Sequence, residues 1–210
     1  MLEIVNFVLG PVATNTYLIA DLDSQQAAVI DPAVDEPAVM QEAEKRGWKV
    51  GQLWITHAHF DHFGGVAGLA RQVGSSLLIA LHPLDMPLWQ ADGSAALFGM
   101  HIPTPPQPSL QLAHGQVLQL GNSRIEVRHV PGHSPGHVVF YCAEESVMFC
   151  GDTIFWGSVG RTDLPGGDGA LLVRSIREQI LILPDETRLL PGHGEETTVA
   201  QERHWNPFLT

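Results

Sequence analysis

Apolar residues open the chain in short runs. Leu2 to Leu9, Asn15 to Ala20 and Ala27 to Ile30 are rich in β-branched and large apolar side chains, and Gly10-Pro11 and the polar stretch Asp21 to Gln26 separate them. That punctuation predicts a β-meander. From Asp35 to Arg46 the composition becomes helical, with Pro37 where a first turn tolerates it and Gly47 as a stop. Val50 to Thr56 then predicts a buried strand, followed by the polar loop His57 to His62 and, through Gly64-Gly65, a helix ending near Val73-Gly74. A βα alternation has begun, and its polar loop lies at the carboxyl end of a strand.

Leu77 to Leu81 is the next strand. Gln90 to Pro108, with prolines at 103, 105, 106 and 108, must be mostly irregular and forms an excursion that could serve as a lid. Strand signals resume at Gln116 to Leu120, Arg124 to Val130, His137 to Cys142 and Ser146 to Cys150. Ala170 to Leu183 has helical periodicity, Arg188 to Leu190 is a last strand, and Thr197 to Trp205 a terminal helix. The second half echoes the first. Two sheets packed face to face under outer helices, an α/β four-layer αββα sandwich formed as one domain over residues 1–210, satisfy both halves.

Composition narrows the function. With 210 residues and 44% apolar content the chain can bury a sizeable core. No apolar run approaches about 18 residues, and the N-terminus lacks a basic region leading into an apolar stretch. The expectation is a soluble cytoplasmic protein without a membrane partner. A formal net charge of -12 repels phosphate backbones and anionic lipid, which argues against nucleic acid as substrate or partner. Cys142 and Cys150 lie in apolar surroundings and are expected as reduced core thiols. Histidine is the informative residue, with 11 copies, several in loops.

In Thr56-His57-Ala58-His59-Phe60-Asp61-His62, four metal-ligand side chains fall within six positions just after an apolar strand. Imidazole nitrogen and carboxylate oxygen bind zinc at roughly 2.0–2.2 Å, so an ion would relieve the cost of gathering them. Three later turns repeat the device: Pro131-Gly132-His133-Ser134-Pro135-Gly136-His137, then Gly151-Asp152-Thr153, then Pro191-Gly192-His193. Each follows an expected strand, and a ligand beside a turn glycine projects from a rigid sheet toward a shared cleft. His137, which begins an apolar strand, reads as support rather than a ligand. His82 could line the cleft.

An HxHxDH motif followed by separate His, Asp and His ligands resembles the metallo-β-lactamase superfamily over residues 1 to 205. Within it, Thr14-Asn15-Thr16-Tyr17, the stretch from Pro131 to His137 and Gly151-Asp152-Thr153-Ile154-Phe155 resemble glyoxalase II-like hydroxyacylglutathione hydrolases. The resemblance implies two divalent ions, zinc by preference with iron or manganese also accepted by such donors. His57, His59 and His133 would hold the first, Asp61, His62 and His193 the second, and Asp152 would bridge them, since a carboxylate has two oxygens where an imidazole has one free lone pair. The implied activity is hydrolysis by a metal-bound hydroxide that Asp61 orients. The implied substrate is a small hydroxyacyl thioester such as S-lactoylglutathione, whose thiol can leave as thiolate.

Arg161 falls where the family places a basic contact to the thiol ligand, and Trp156 lies near enough to Asp152 in sequence to line a pocket. Asp163 replaces an expected tyrosine, and the basic C-terminal helical domain of full-length glyoxalase II enzymes has no counterpart before Thr210. The segment Gly160 to Asp168 also resembles persulfide dioxygenases, in which His57, His133 and Asp152 would form a mononuclear iron site. Hydrolysis of a lactone or another ester, and a nonenzymatic metal-binding or interaction role, are the remaining alternatives. The pattern says nothing about oligomeric state.

Overall fold

A strand whose faces are both apolar needs cover on both sides, and several strands here have that character. The computed structural model describes all 210 residues. On β2 (Thr14–Asp21), Leu18 and Ala20 enter one core while Tyr17 and Ile19 enter another. On β9 (Val138–Cys142), Val138, Phe140 and Cys142 share the second core with Tyr17, while Val139 and Tyr141 face a third. Three cores between four layers give the αββα sandwich, with helices outside and the middle core between the sheets.

The first sheet runs in the order β1 (Leu2–Leu9), β2, β3 (Gln26–Ile30), β4 (Lys49–Trp54), β5 (Leu78–Leu81), β6 (Leu110–Gln111). Its first three strands pair antiparallel, and β3 to β6 pair parallel. The second runs β14 (Thr197–Thr198), β13 (Arg188–Pro191), β10 (Val147–Gly151), β9, β8 (Ser123–His129), β7 (Val117–Leu120). Helices α1 (Pro37–Arg46), α2 (Phe60–Phe63), α3 (Val66–Val73) and α4 (Met86–Gln90) cover the first sheet, and α5 (Gly169–Gln179) and α6 (Val199–Trp205) the second. No helix is long and apolar enough to cross a membrane.

Differences from the sequence expectation are local. Helix α5 ends at Gln179 rather than near Leu183, and residues 180 to 183 continue as turns before Pro184. Between α4 and β6 the excursion contains 3₁₀ turns, and Asp92, Gly93 and Ser94 there all have positive φ. The tight approach falls at Gly93, where a Cβ would lie 2.4 Å from the Phe60 amide nitrogen and 2.8 Å from the Ala58 carbonyl. A two-strand hairpin, β11 (Ile154–Phe155) and β12 (Ser158–Val159), was not evident from periodicity. Cys142 and Cys150 are buried free thiols in separate cores.

Candidate metal centre

All the candidate ligands sit at one end of the sandwich. His57, His59, Asp61 and His62 follow β4, His133 follows β8, Asp152 follows β10 and His193 follows β13. Outside the carboxyl ends of strands the backbone can turn freely, and a crevice forms between diverging loops. Here loops from two sheets meet over the same crevice.

The donors converge as two triads. The Nε2 atom of His133 lies 3.1 Å from Nε2 of His57 and 2.8 Å from Nδ1 of His59. Beside them, Oδ2 of Asp61 lies 3.2 Å from Nε2 of His62 and 3.2 Å from Nε2 of His193. Asp152 stands between: Oδ1 is 3.4 Å from Nε2 of His62, and Oδ2 is 3.6 Å from Nε2 of both His133 and His193. Nε2 of His62 and Oδ1 of Asp152 are buried without a hydrogen-bond partner. Orphaned polar atoms at this depth are costly, and three nitrogens crowded at hydrogen-bond distance ask for a shared cation. The donor set therefore suits two divalent ions, and a third donor group, Asp31, His57 and His62, overlaps both triads.

The electrostatics separate the triads. Burial, reinforced by neighbouring imidazoles, holds His57 well below its ordinary pKa, pushes His59 down to about 3 and lowers His133. Those rings are neutral, as ligation requires. His62 is buried too, yet the nearby carboxylates of Asp61, Asp152 and Asp31 outweigh desolvation and raise it. Burial also works to raise Asp61 and Asp152, but the facing histidines hold both below the ordinary carboxylate range.

Neighbours explain why the motifs read as they do. Thr14 Oγ1 donates to Oδ2 of Asp61 at 2.9 Å, and the Asn15 amide donates to the carbonyls of Pro191 and Gly194 around His193. Tyr17 donates its hydroxyl to Pro191 at 2.7 Å, so the Thr-Asn-Thr-Tyr run fastens the first sheet to the His193 turn. His137 Nε2 accepts the Asp152 N–H at 3.0 Å and lies outside both triads. His133 donates through Nδ1 to the Arg161 carbonyl at 2.8 Å, which leaves the Nε2 lone pair facing the crevice.

Asp31 escaped the sequence reading. Its Oδ2 lies 2.9 Å from Nδ1 of His62 and also accepts from the Thr56 hydroxyl, while Oδ1 accepts the Thr56 amide. A carboxylate behind an imidazole fixes the ring and its tautomer. The signal was present: Ile30-Asp31-Pro32 places an acid just past a buried strand, as Cys150-Gly151-Asp152 does.

A cleft of about 140 Å³ opens over the donors, with His59, Asp61, His133, Asp152 and His193 among its lining and Val12, Phe98, Leu164 and Arg161 around them. The Arg161 guanidinium is paired with Asp163 at 2.7 and 2.8 Å. Trp156 does not line the cleft; the β11–β12 hairpin carries it to the surface, 61% exposed. His82 is also outside it and stacks on His129.

Gly192 has no room for a side chain, since a Cβ would stand 2.2 Å from Oδ1 of Asp152 and 2.7 Å from Cε1 of His62. Gly192→Ala is expected to weaken metal binding by about 10-fold or more and to cost roughly 1–3 kcal/mol of stability through overpacking. Competition with a chromophoric chelator and thermal denaturation would check both, and wild-type values in each would show that the contact relaxes freely.

Similarity to known proteins agrees with this geometry. The profile of the Metallo-beta-lactamase superfamily matches residues 9–193. A Haemophilus influenzae protein named hydroxyacylglutathione hydrolase GloC is 36% identical over 93% of this chain and 92% of its own. Among solved structures, TTHA1623 in a di-iron-bound form is 41% identical with a TM-score of 0.89, covering 98% of this chain and 100% of that one. BLEG-1 B3 metallo-beta-lactamase is 37% identical with a TM-score of 0.90 and full coverage of both chains. Fold, profile and the His/Asp crevice agree, and the chain belongs to the metallo-β-lactamase superfamily of metal-binding hydrolases.

Proposed function

We propose that the protein is a glyoxalase II-like thioester hydrolase acting on a small hydroxyacyl thioester such as S-lactoylglutathione. In this reading His57, His59 and His133 hold one ion, Asp61, His62 and His193 the other, and Asp152 is shared. The observation that carries it is the pair of triads on either side of Asp152, with His59, Asp61, His133, Asp152 and His193 opening onto one cleft. A mononuclear site would leave Asp61, His62 and His193 gathered at 3.2 Å spacings without a purpose.

When bound, the ions would supply a low-pKa water and Lewis acidity toward a carbonyl oxygen. The chain's own groups do the rest. Asp61, held by Thr14 at the cleft floor, orients the attacking water. The acid–base side chains of the floor are committed as ligands, which leaves no free general acid for an amine leaving group. A thiol, with a pKa near roughly 8.5, departs as thiolate and needs none. Val12, Phe98 and Leu164 provide apolar contact for the acyl and thiol chains.

The Haemophilus relative named as a hydroxyacylglutathione hydrolase supports this substrate class, and the di-iron form of TTHA1623 supports testing iron beside zinc. Protein loaded with either metal is expected to hydrolyse S-lactoylglutathione, followed as loss of thioester and release of thiol. His59→Ala, which removes one ligand, should lower the rate by about 10²-fold or more, the scale expected when several kcal/mol of transition-state stabilisation is lost. Absence of turnover by fully loaded protein would refute the substrate and bring another activated ester to the front.

A further inference from the structure

Asp85 is a fully buried carboxylate that no sequence motif marks and that touches no candidate ligand side chain. It sits where a 3₁₀ turn (Pro83–Asp85) leads into α4, and three donors converge on it. Oδ2 accepts the Ala58 N–H at 2.9 Å and the Ser134 hydroxyl at 2.7 Å, and Oδ1 accepts the Gly136 N–H at 2.6 Å. Ala58 lies between His57 and His59, and Ser134 and Gly136 follow His133. One side chain thus ties together the two loops that carry all three nitrogens of the first triad. The contact is close enough to require glycine at 136, where a Cβ would fall 2.7 Å from the Asp85 amide nitrogen.

We propose that Asp85 is the positioning residue of the first metal site, setting the separation of the His57–His59 loop from the His133 loop without touching the ion. This rests on the ligand assignment proposed above. A carboxylate is needed because each of its oxygens accepts a backbone N–H; an amide in either orientation would set its NH₂ against one of those N–H groups. The second triad has other tethers: His62 leans on Asp31, Asp61 on Thr14, and the His193 turn on Asn15 and Tyr17. Loss of the Asp85 clamp should therefore be felt by one site and not the other, a selectivity that a general loss of packing would not produce.

The test is a zinc titration of the full chain, wild type and Asp85→Asn, read by the imidazole resonances of each histidine. In Asp85→Asn, His57, His59 and His133 should require about 10–100-fold more zinc to shift, while His62 and His193 saturate as in wild type. Ser134→Ala, which removes one of the three bonds, should show a smaller weakening confined to the same three rings, and it serves if Asp85→Asn fails to fold. Equal weakening of both sets, or a lowered melting temperature with zinc binding unchanged, would overturn the proposal. Should wild-type protein itself fail to shift one of the two sets, the ligand assignment is at fault rather than Asp85.

Discussion

Asp152→Ala is expected to retain its fold, to bind no more than one metal ion tightly and to lose about 10³-fold or more of its turnover. The fold should persist because the parts of residue 152 that serve the scaffold are backbone: its N–H bonds His137, and its carbonyl region packs against Gly160. The side chain has a different role. Its two oxygens face His62 on one side and His133 and His193 on the other, so under the proposed assignment its removal takes a shared ligand from both sites at once. Three imidazoles can still hold an ion, but the second site is left with Asp61, His62 and His193 and no shared anion to offset the charge of a neighbour. Losing one Lewis acid removes several kcal/mol of transition-state stabilisation, which corresponds to roughly 10³-fold in rate. Metal analysis after gel filtration and hydrolysis rates measured in parallel would check it. Two ions per chain with turnover within ten-fold of wild type would show that Asp152 does not bridge.

Metal-free protein should lose stability steadily as the pH falls from about 6 to 4. Burial keeps His57, His133 and His137 below their ordinary pKa and puts His59 at about 3. An unfolded chain protonates the same rings near roughly 6.5. Between the two values the unfolded state binds more protons, so each ring contributes up to about 1.4 kcal/mol of lost stability per pH unit. Asp61 and Asp152, whose folded values are depressed, add to the loss at the acid end as protonation removes their interactions with the histidines. His62 and His193 are shifted upward. Their contribution is complete only below the unfolded value, so they offset the loss between pH 7 and about 6 and have no further effect at lower pH. Melting temperature against pH, after removal of metal by a chelator, is the measurement. A flat profile between about pH 6 and 4 would mean that the folded cluster takes up protons as readily as the unfolded chain.

Much of this architecture was legible in the sequence because the information is local. The strand at Lys49–Trp54 and the loop after it are contiguous, so a run of apolar residues ending in His57-Ala58-His59-Phe60-Asp61-His62 shows both the support and the donors. His133, Asp152 and His193 each repeat the strand, glycine and ligand order within a few residues. The tethers were harder to read. Asp31 had a local signature that went unused, whereas the partners of Asp85 lie 27, 49 and 51 residues away and only the fold brings them to it. Strands of two residues, as in the β11–β12 hairpin, have no period to detect. Trp156 shows the cost: four positions from Asp152 in sequence, it is turned outward by the hairpin that follows.

Each triad draws two donors from the loop after β4, in the first sheet, and one from the second. A pair of ions held there would be a clasp at one end of the sandwich, joining layers that elsewhere adhere through side-chain packing and a few hydrogen bonds such as Ser123 to Asp21 and Gln52 to the Gln119 carbonyl. Prising the layers apart at that end would then stretch metal–ligand bonds in both sites together. By reciprocity, a ligand that binds by widening the crevice must lose affinity as the ions bind, and the ions must lose affinity for a crevice it holds open. With both ions bound, the crevice would therefore resist a wide molecule mechanically, apart from the chemistry of its walls, and a molecule that forced it open would loosen the metal centre.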